Sequence, residues 1–206
     1  MACSSLLIFG GTFDPPHLAH TRLPPLVAKR LGADRIIYVP AAANPLKPNR
    51  PTPARHRLAM LRLAIASVPD AEIDSIELDR PGPSYTVETL EALRERYDDD
   101  VELRLLIGAD QVPDFDRWRE PQRILELATP AVLLRPPGDE RAFRERLAGF
   151  FPPHLADRWV SWTVPVPPMD ITATEIRRRL SAREDVSDLL DPVVADYIRE
   201  HGLYGG

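Results

Sequence analysis

The sequence contains almost no cysteine. Cys3 is the single cysteine among 206 residues, so no disulfide can form within the chain. Chains without disulfides are typical of reducing compartments. A long hydrophobic run is also missing, because the apolar stretch 6–9 is too short for a signal peptide or a membrane span. We therefore expect a cytoplasmic protein that has no membrane partner.

An excess of basic residues is missing as well. The chain has 26 Lys and Arg against 31 Asp and Glu, which gives a net charge of −5 at pH 7. Proteins that bind along a nucleic acid carry a basic surface, so we expect no nucleic-acid partner. Binding of a single nucleotide needs only a few local cations and remains open. The length suits one domain with its own core, and we expect residues 1–206 to form it.

Proline is frequent, with 23 residues, and short apolar segments lie between the prolines. Runs with strand character alternate with segments whose apolar residues recur at helical spacing. This alternation predicts an α/β fold with a doubly wound, mostly parallel sheet, in which a ligand lies at the carboxyl ends of the strands. The predicted strands are 6–9, 35–39, 73–78, 103–107, 131–134 and 162–166. The predicted helices are 15–30 (with a kink or break at Pro24 and Pro25), 57–68, 87–97, 141–147, 174–180 and 192–201.

A glycine pair and two histidines follow the first predicted strand. Gly10 and Gly11 let the backbone approach a ligand closely, and Asp14 before a proline predicts the N-cap of a helix. The free N–H groups and the dipole of a helix start favour phosphate. His17 and His20 are three residues apart, so they share a helix face and could both donate to phosphate oxygens. Taken singly, these features also fit a simple turn and surface, core or metal-binding histidines.

The string from Gly10 to His20 resembles the signature of the nucleotidylyltransferase superfamily, in which Gly-Gly-Thr/Ser-Phe-Asp-Pro leads into His-x-Gly-His. This sequence has Ala19 where the family usually has glycine. The resemblance implies a Rossmann-like nucleotidylyltransferase fold. It also implies that His17 and His20 contact the phosphates of ATP and stabilise the transition state. The loop implied to bind ATP consists of Gly10, Gly11, Thr12 and Phe13.

A second motif lies towards the end of the chain. The segment 171–177, Ile-Thr-Ala-Thr-Glu-Ile-Arg, resembles the family's Ile-Ser-Ser-Thr-x-Ile-Arg. Hydroxyl side chains before a helix serve as caps and phosphate donors, and the arginine fork suits phosphate oxygens. The resemblance implies that Thr172, Thr174 and Arg177 bind ATP and that residues 171–206 form a small helical part completing that site. Ala173 replaces a serine of the motif, and Arg178 and Arg179 are expected in solvent.

The middle of the chain resembles bacterial nicotinate-mononucleotide adenylyltransferases in the segments 44–48 (Asn-Pro-Leu-Lys-Pro), 84–90 (Ser-Tyr-Thr-Val-Glu-Thr-Leu) and 106–110 (Leu-Ile-Gly-Ala-Asp). The resemblance implies that Trp118 stacks on the pyridine ring, a sound use of an aromatic face. From the residues alone, a solvated Lys47, a simple Thr86 cap and a core Trp118 remain open. The residues implied to bind the mononucleotide are Lys47, Tyr85, Thr86, Trp118 and Arg135. Gly108 and Asp110 are implied to bind ATP.

The resemblance implies adenylyl transfer from ATP to nicotinate mononucleotide, which yields deamido-NAD and pyrophosphate. Mg²⁺ would accompany ATP with few protein ligands. The small-molecule partners would be these two substrates, and a homo-oligomer is left open. The residues implied in catalysis are His17, His20, Lys47 and Arg177. Three alternatives remain: nicotinamide mononucleotide as the acceptor, phosphopantetheine as the acceptor, and a non-catalytic nucleotide sensor, which Ala19 and Ala173 favour.

Overall fold

The computed structural model describes residues 4–42, 51–134 and 139–205. Its centre is a parallel sheet of five strands in the order β3-β2-β1-β4-β5. The strands are β1 (Ser5–Gly11), β2 (Arg35–Pro40), β3 (Ala71–Ile73), β4 (Glu102–Gly108) and β5 (Thr129–Leu133). The helices are α1 (Leu18–Leu31), α2 (Ala54–Ile65), α3 (Ile76–Asp79), α4 (Thr86–Arg96), α5 (Pro121–Leu127), α6 (Glu140–Leu147), α7 (Pro153–Ser161), α8 (Ala173–Ser181) and α9 (Pro192–Glu200), with a 3-10 helix at Val112–Arg117.

Along β1, β2, β4 and β5 the side chains alternate between two hydrophobic cores, one on each face of the sheet. In β1, Leu6 and Ile8 lie in one core and Leu7 in the other. Helices α4 to α7 cover the first core, and helices α1, α2, α8 and α9 cover the second. Helices on both faces of a parallel sheet make a doubly wound α/β fold of the Rossmann-like type, which confirms the predicted fold class.

The carboxyl ends of β1 and β4 lie side by side at the centre of this sheet. After β1 the chain winds towards β2 and β3, and after β3 it crosses to β4 and winds towards β5. The loops that follow β1 and β4 therefore diverge to opposite faces. Doubly wound sheets bind ligands in the crevice that opens at such a point.

Two of the predicted strands are wrong in part. The segment 73–78 ends its strand at Ile73, because the Asp74 carboxylate accepts a hydrogen bond from the N–H of Ile76 and starts α3. The segment 162–166 makes only a single parallel bridge, between Thr163 and Val132. Pro165 has no N–H group with which to extend the pairing. Helices α5 and α7 were not predicted.

Helix α1 begins later than predicted and is not broken. Its N-cap is His17, because the Asp14 carboxylate is occupied elsewhere, by the N–H of Thr52 and the hydroxyl of Tyr204. Pro24 and Pro25 lie inside a helix that continues to Leu31. None of the helices within the described ranges combines the length and apolar character needed to cross a membrane.

Candidate active site

Two cavities open at the carboxyl ends of β1 and β4. One, of about 780 Å³, contains the two histidines of the first motif and is called the histidine cavity. The other, of about 630 Å³, contains Trp118 and is called the tryptophan cavity. The cavities adjoin, because they share wall residues from β1, β4 and the loops that follow. These shared residues are Gly10, Gly11, Thr12, Leu106, Asp110 and Gln111.

The histidine cavity brings together both motifs that the sequence singled out, although more than 150 residues separate them in the chain. Every residue predicted to bind ATP lines it. These residues are Gly10, Gly11, Thr12, Phe13, His17, His20, Gly108, Asp110, Thr172, Thr174 and Arg177. Ala19 and Ala173, where the family usually has glycine and serine, also line it.

The two histidines are fixed against each other at the start of α1. Their rings stack with centroids 3.5 Å apart, and the N–H of His17 donates to Nδ1 of His20 at 3.2 Å. A ring nitrogen that accepts a hydrogen bond carries no proton, so the neutral His20 ring has its proton on Nε2. The side chain of His20 therefore has a donor at its far ring nitrogen. His17 is buried, with 4 % of its surface exposed.

The two glycines at the end of β1 differ, because Gly11 is packed against a side chain and Gly10 borders open space. A Cβ atom at Gly11 would lie 3.0 Å from Cζ of Phe13, whereas a Cβ atom at Gly10 would meet nothing within 4 Å. Phe13 adopts a left-handed conformation with φ of 49°, which costs on the order of 1–2 kcal/mol for a residue with a side chain. Its buried ring packs edge-on to His20, with centroids 5.1 Å apart. The open space at Gly10 faces both cavities.

Helix α8 brings the second motif to the same loop. Thr172 is the N-cap, and its hydroxyl accepts a hydrogen bond from the N–H of Glu175 at 3.2 Å. Arg177 donates to the main-chain carbonyl of Asp14 at 2.6 Å and to the hydroxyl of Thr174 at 3.3 Å. Arg177 thus connects α8 to the loop after β1.

Arg178 and Arg179 point away from the cavity and form surface ion pairs. Both contact Glu175, and they reach Glu184 and Asp188 respectively. Hydrogen bonds from Arg178 and Arg179 lower the pKa of Glu175 to about 2. These two arginines belong to the surface of α8, as predicted.

A buried cluster beneath the loop was not predicted from the sequence. Arg57 of α2 is 1 % exposed and donates to the main-chain carbonyls of Thr12 at 2.7 Å, Thr52 at 2.8 Å and Ala42 at 3.4 Å. Burial lowers the pKa of Arg57, and the nearby Asp14 carboxylate opposes that change. One signal was available: Arg57 shares a helix face with the buried Leu61 and Ile65, four and eight residues later.

The C-terminal segment reaches this cluster. The hydroxyl of Tyr204 donates to Oδ1 of Asp14 at 2.6 Å, and the N–H of Thr52 donates to Oδ2 at 3.2 Å. Burial, and then the bond to Asp14, raise the pKa of Tyr204. Tyr204 also lines the histidine cavity. The aspartate predicted to cap α1 instead connects the loop after β1 to the end of the chain.

The tryptophan cavity contains three of the residues predicted to bind a mononucleotide. Tyr85, Thr86 and Trp118 line it. Helix α4 begins at Thr86 with Tyr85 as the N-cap, so the proposed Thr86 cap is wrong. Trp118 is half-buried, with its ring centroid 5.2 Å from that of Phe115.

Charged side chains around the tryptophan cavity are held in place by hydrogen bonds to neighbouring side chains. The guanidinium of Arg119 lies 4.9 Å above the ring of Tyr85 and donates to Glu88 at 2.8 Å. The buried carboxylate of Glu77 accepts a hydrogen bond from the hydroxyl of Thr89 at 2.7 Å. Aromatic rings with charged groups fixed beside them suit a flat, polar heterocycle.

Lys47 and Arg135, the two other residues predicted to bind the mononucleotide, lie outside the described residues.

A divalent metal was expected to accompany the nucleotide. Within residues 4–42, 51–134 and 139–205, no three His, Cys, Asp or Glu side chains come close enough together to hold a metal ion. Asp110 is the acidic residue common to the linings of both cavities. This donor set fits an ion held mainly by the oxygens of a nucleotide substrate rather than by the protein.

The chain is similar to known proteins over nearly its whole length. A family model described as cytidylyltransferase-like matches residues 8–179. The "Probable nicotinate-nucleotide adenylyltransferase" of Thermomicrobium roseum is 43% identical, over 98% of this chain and 92% of that protein. A protein of the same name from a Roseiflexus species is 41% identical, over 99% of this chain and 100% of its own length.

Solved structures share the fold. Plasmodium falciparum nicotinic acid mononucleotide adenylyltransferase, solved in complexes with APC and with NaAD, matches with a TM-score of 0.76 in both cases. The match covers 98% of this chain and 97% of that one, at 18% and 19% identity.

The parallel sheet and the family match together define the chain as a nucleotidyltransferase with a Rossmann-like fold. More closely, the chain belongs to the nicotinate-nucleotide adenylyltransferase family, since relatives of that name share about two fifths of its residues over nearly its full length.

The two glycines at the end of β1 should respond differently to the same substitution. Gly11→Ala should lower the free energy of unfolding by about 1–3 kcal/mol, because the new methyl group would press on the buried ring of Phe13. Gly10→Ala should change it by less than about 0.5 kcal/mol, because its methyl group would meet open space. Urea unfolding followed by circular dichroism measures both, and equal losses would contradict this account.

Replacement of Arg57 tests the buried cluster. Arg57→Met keeps most of the side-chain volume but removes every donor from three main-chain carbonyls, so the free energy of unfolding should fall by about 3–5 kcal/mol. Arg55→Met, on an exposed position of the same helix, is the matched control and should cost less than about 0.5 kcal/mol. An Arg57→Met chain as stable as the control would show that the cluster contributes little.

Proposed function

We propose that this chain transfers the AMP part of ATP to nicotinate mononucleotide, which gives deamido-NAD and pyrophosphate in NAD biosynthesis. The observation that carries the proposal is the pair of adjoining cavities with a common wall at Gly10, Gly11, Thr12 and Asp110. A reaction that joins two nucleotides needs two sites whose reactive ends meet. The family of the chain supports the same reaction, because its relatives carry that name.

Adenylyl transfer depends more on alignment of the two substrates than on a general base. A phosphate oxygen of the mononucleotide attacks the α-phosphorus of ATP and forms a new P–O bond. The bond between the α-phosphorus and the oxygen that bridges to the β-phosphorus breaks, and pyrophosphate leaves with that electron pair. The attacking oxygen is already anionic near neutral pH, so rate enhancement comes from orientation and from stabilisation of charge.

We assign the histidine cavity to ATP. We propose that Nε2–H of His20 donates to a phosphate oxygen, with the ring of His17 stacked against that of His20. Arg177 would add a positive charge from α8 while it stays bonded to Asp14. The open space at Gly10 would admit the nucleotide close to the main chain. We also propose that ATP contacts the other predicted residues of this cavity, which are Gly11, Thr12, Phe13, Gly108, Asp110, Thr172 and Thr174.

We assign the tryptophan cavity to nicotinate mononucleotide. The rings of Trp118 and Tyr85 are suited to hold the pyridine ring. The N-terminus of α4, at Thr86, lies in the wall of the same cavity, and a helix start of this kind would favour a nicotinate carboxylate. Lys47 and Arg135 stay proposed as phosphate and mononucleotide contacts on the sequence resemblance alone.

Mg²⁺ is proposed to enter as part of the ATP substrate, bridging its phosphates with water and few protein ligands. We further propose that residues 1–206 act as one domain whose helical part, 171–206, completes the ATP site through Arg177 and Tyr204. The reducing compartment expected from the single cysteine makes the cytoplasm the proposed location.

Pyrophosphate release with ATP and Mg²⁺ tests the function directly. Three acceptors should be compared at equal concentration: nicotinate mononucleotide, nicotinamide mononucleotide and phosphopantetheine. We expect release mainly with the nicotinate form. Preference for another acceptor would support adenylyl transfer but contradict nicotinate mononucleotide as the substrate. Binding of ATP without pyrophosphate release in any mixture would favour a nucleotide sensor.

Removal of either histidine should slow the reaction. We expect His17→Ala and His20→Ala to lower kcat by about 10²- to 10³-fold each, the range found when one donor to a developing charge is removed. The KM for nicotinate mononucleotide should change little, because that substrate is assigned to the other cavity. His154→Ala, on the exposed start of α7, is the control. Unchanged turnover in both His17→Ala and His20→Ala would show that these histidines are not needed for catalysis.

A further inference from the structure

One main-chain carbonyl at the start of α1 lacks its regular helical partner. In an α-helix the carbonyl of residue 20 would accept a hydrogen bond from the N–H of residue 24. Residue 24 is Pro24, which lies inside the helix and has no N–H to give. The carbonyl concerned belongs to His20, the residue whose ring faces the histidine cavity.

The sheet supplies the missing donor. The hydroxyl of Tyr38, on β2, donates to the carbonyl of His20 at 2.9 Å. Tyr38 has none of its surface exposed, so its hydroxyl is not available to bulk water. Burial raises the pKa of Tyr38, and the hydroxyl therefore keeps its proton and remains a donor throughout the neutral range.

The ring of Tyr38 also belongs to the aromatic group around His20. Phe9 and Phe13 lie 5.7 and 5.1 Å from the His20 ring, and Tyr38 contacts both, at 5.7 and 6.0 Å between centroids. A phenylalanine at position 38 would keep these ring contacts and lose only the hydroxyl. The hydrogen bond can therefore be tested separately from the packing.

Two of the hydrogen bonds that hold His20 fix its ring and its carbonyl without any ligand. Its ring is fixed through Nδ1 by the N–H of His17, and its backbone is fixed through the carbonyl by Tyr38. The hydrogen bond from Tyr38 on β2 to the first turn of α1 limits how far Nε2 of His20 can move. Displacements of about 1 Å at a reacting group can cost on the order of 100-fold in rate.

We propose that Tyr38 and Pro24 act as a pair of positioning residues for His20: Pro24 has no N–H to donate to the carbonyl of His20, and the Tyr38 hydroxyl donates to that carbonyl and connects His20 to the sheet. This inference rests on the proposed function, in which His20 donates to a phosphate of ATP.

The first variant is Tyr38→Phe. We expect kcat to fall on the order of tenfold, while the KM for nicotinate mononucleotide changes by less than about twofold, because only the donor on the ATP side is displaced. Pyrophosphate release is measured first with the wild-type chain. An inactive wild-type chain would overturn the proposed function and this inference with it, whereas an active wild type with an unchanged Tyr38→Phe variant would overturn the inference alone.

A second substitution can return a donor to the same carbonyl. In Pro24→Ala the N–H of residue 24 is directed at the carbonyl of His20, as in a regular helix. The double variant Tyr38→Phe/Pro24→Ala should therefore recover most of the lost kcat. The matched control is Tyr38→Phe/Pro25→Ala, which removes a proline from the same helix but directs its new N–H at residue 21.

The two double variants separate positioning from helix stability. Each removes one interior proline, so each should stabilise α1 to a similar extent. Recovery of kcat with Pro24→Ala only would support the pair. Recovery with both variants, or with neither, would overturn it. If Tyr38→Phe by itself unfolds at the assay temperature, the kcat of the two double variants still decides between these outcomes.

Discussion

The guanidinium of Arg57 lies beneath the loop that follows β1 and donates to the main-chain carbonyls of Thr12, Thr52 and Ala42. A buried charge is tolerated only when its donors are satisfied and an opposite charge is near, and here Asp14 supplies that charge. Three segments of chain are therefore held at fixed positions by one side chain. Thr12, in one of these segments, is part of the wall shared by the two cavities.

Asp14 extends this arrangement to the C-terminal part of the chain. Its carboxylate accepts from Tyr204 and its carbonyl from Arg177, across 190 and 163 residues of sequence. Contacts over such separations form only when both cores of the sheet are in place. The phosphate-binding geometry that we propose thus depends on folding of the whole chain, and a local change at α8 or at the C-terminus should affect the loop after β1.

Much of the fold could be predicted from the sequence, because it depends on residues that are close together in the chain. The apolar run of β1 and the glycine pair after it predict a buried strand and a close backbone approach, and the structure has both. The wrong predictions also have local causes: the carboxylate of Asp74 starts a helix where a strand was expected, and Pro165 prevents a sixth strand from pairing. Pro24 predicted a break in α1, but the helix continues, and the Tyr38 hydroxyl donates to the carbonyl of His20, to which Pro24 has no N–H to donate.

The sequence by itself determined the alternation of strands and helices, the family and the residues of the two motifs, because each depends on neighbours within about one helical turn or one strand. Only the tertiary structure decided that Arg57 and Tyr204 support the site and that Tyr38 holds His20. An arginine on an apolar helix face or a tyrosine in a strand gives no indication of its partner. Those partners are fixed by the order of strands in the sheet and by the helices that cover each face.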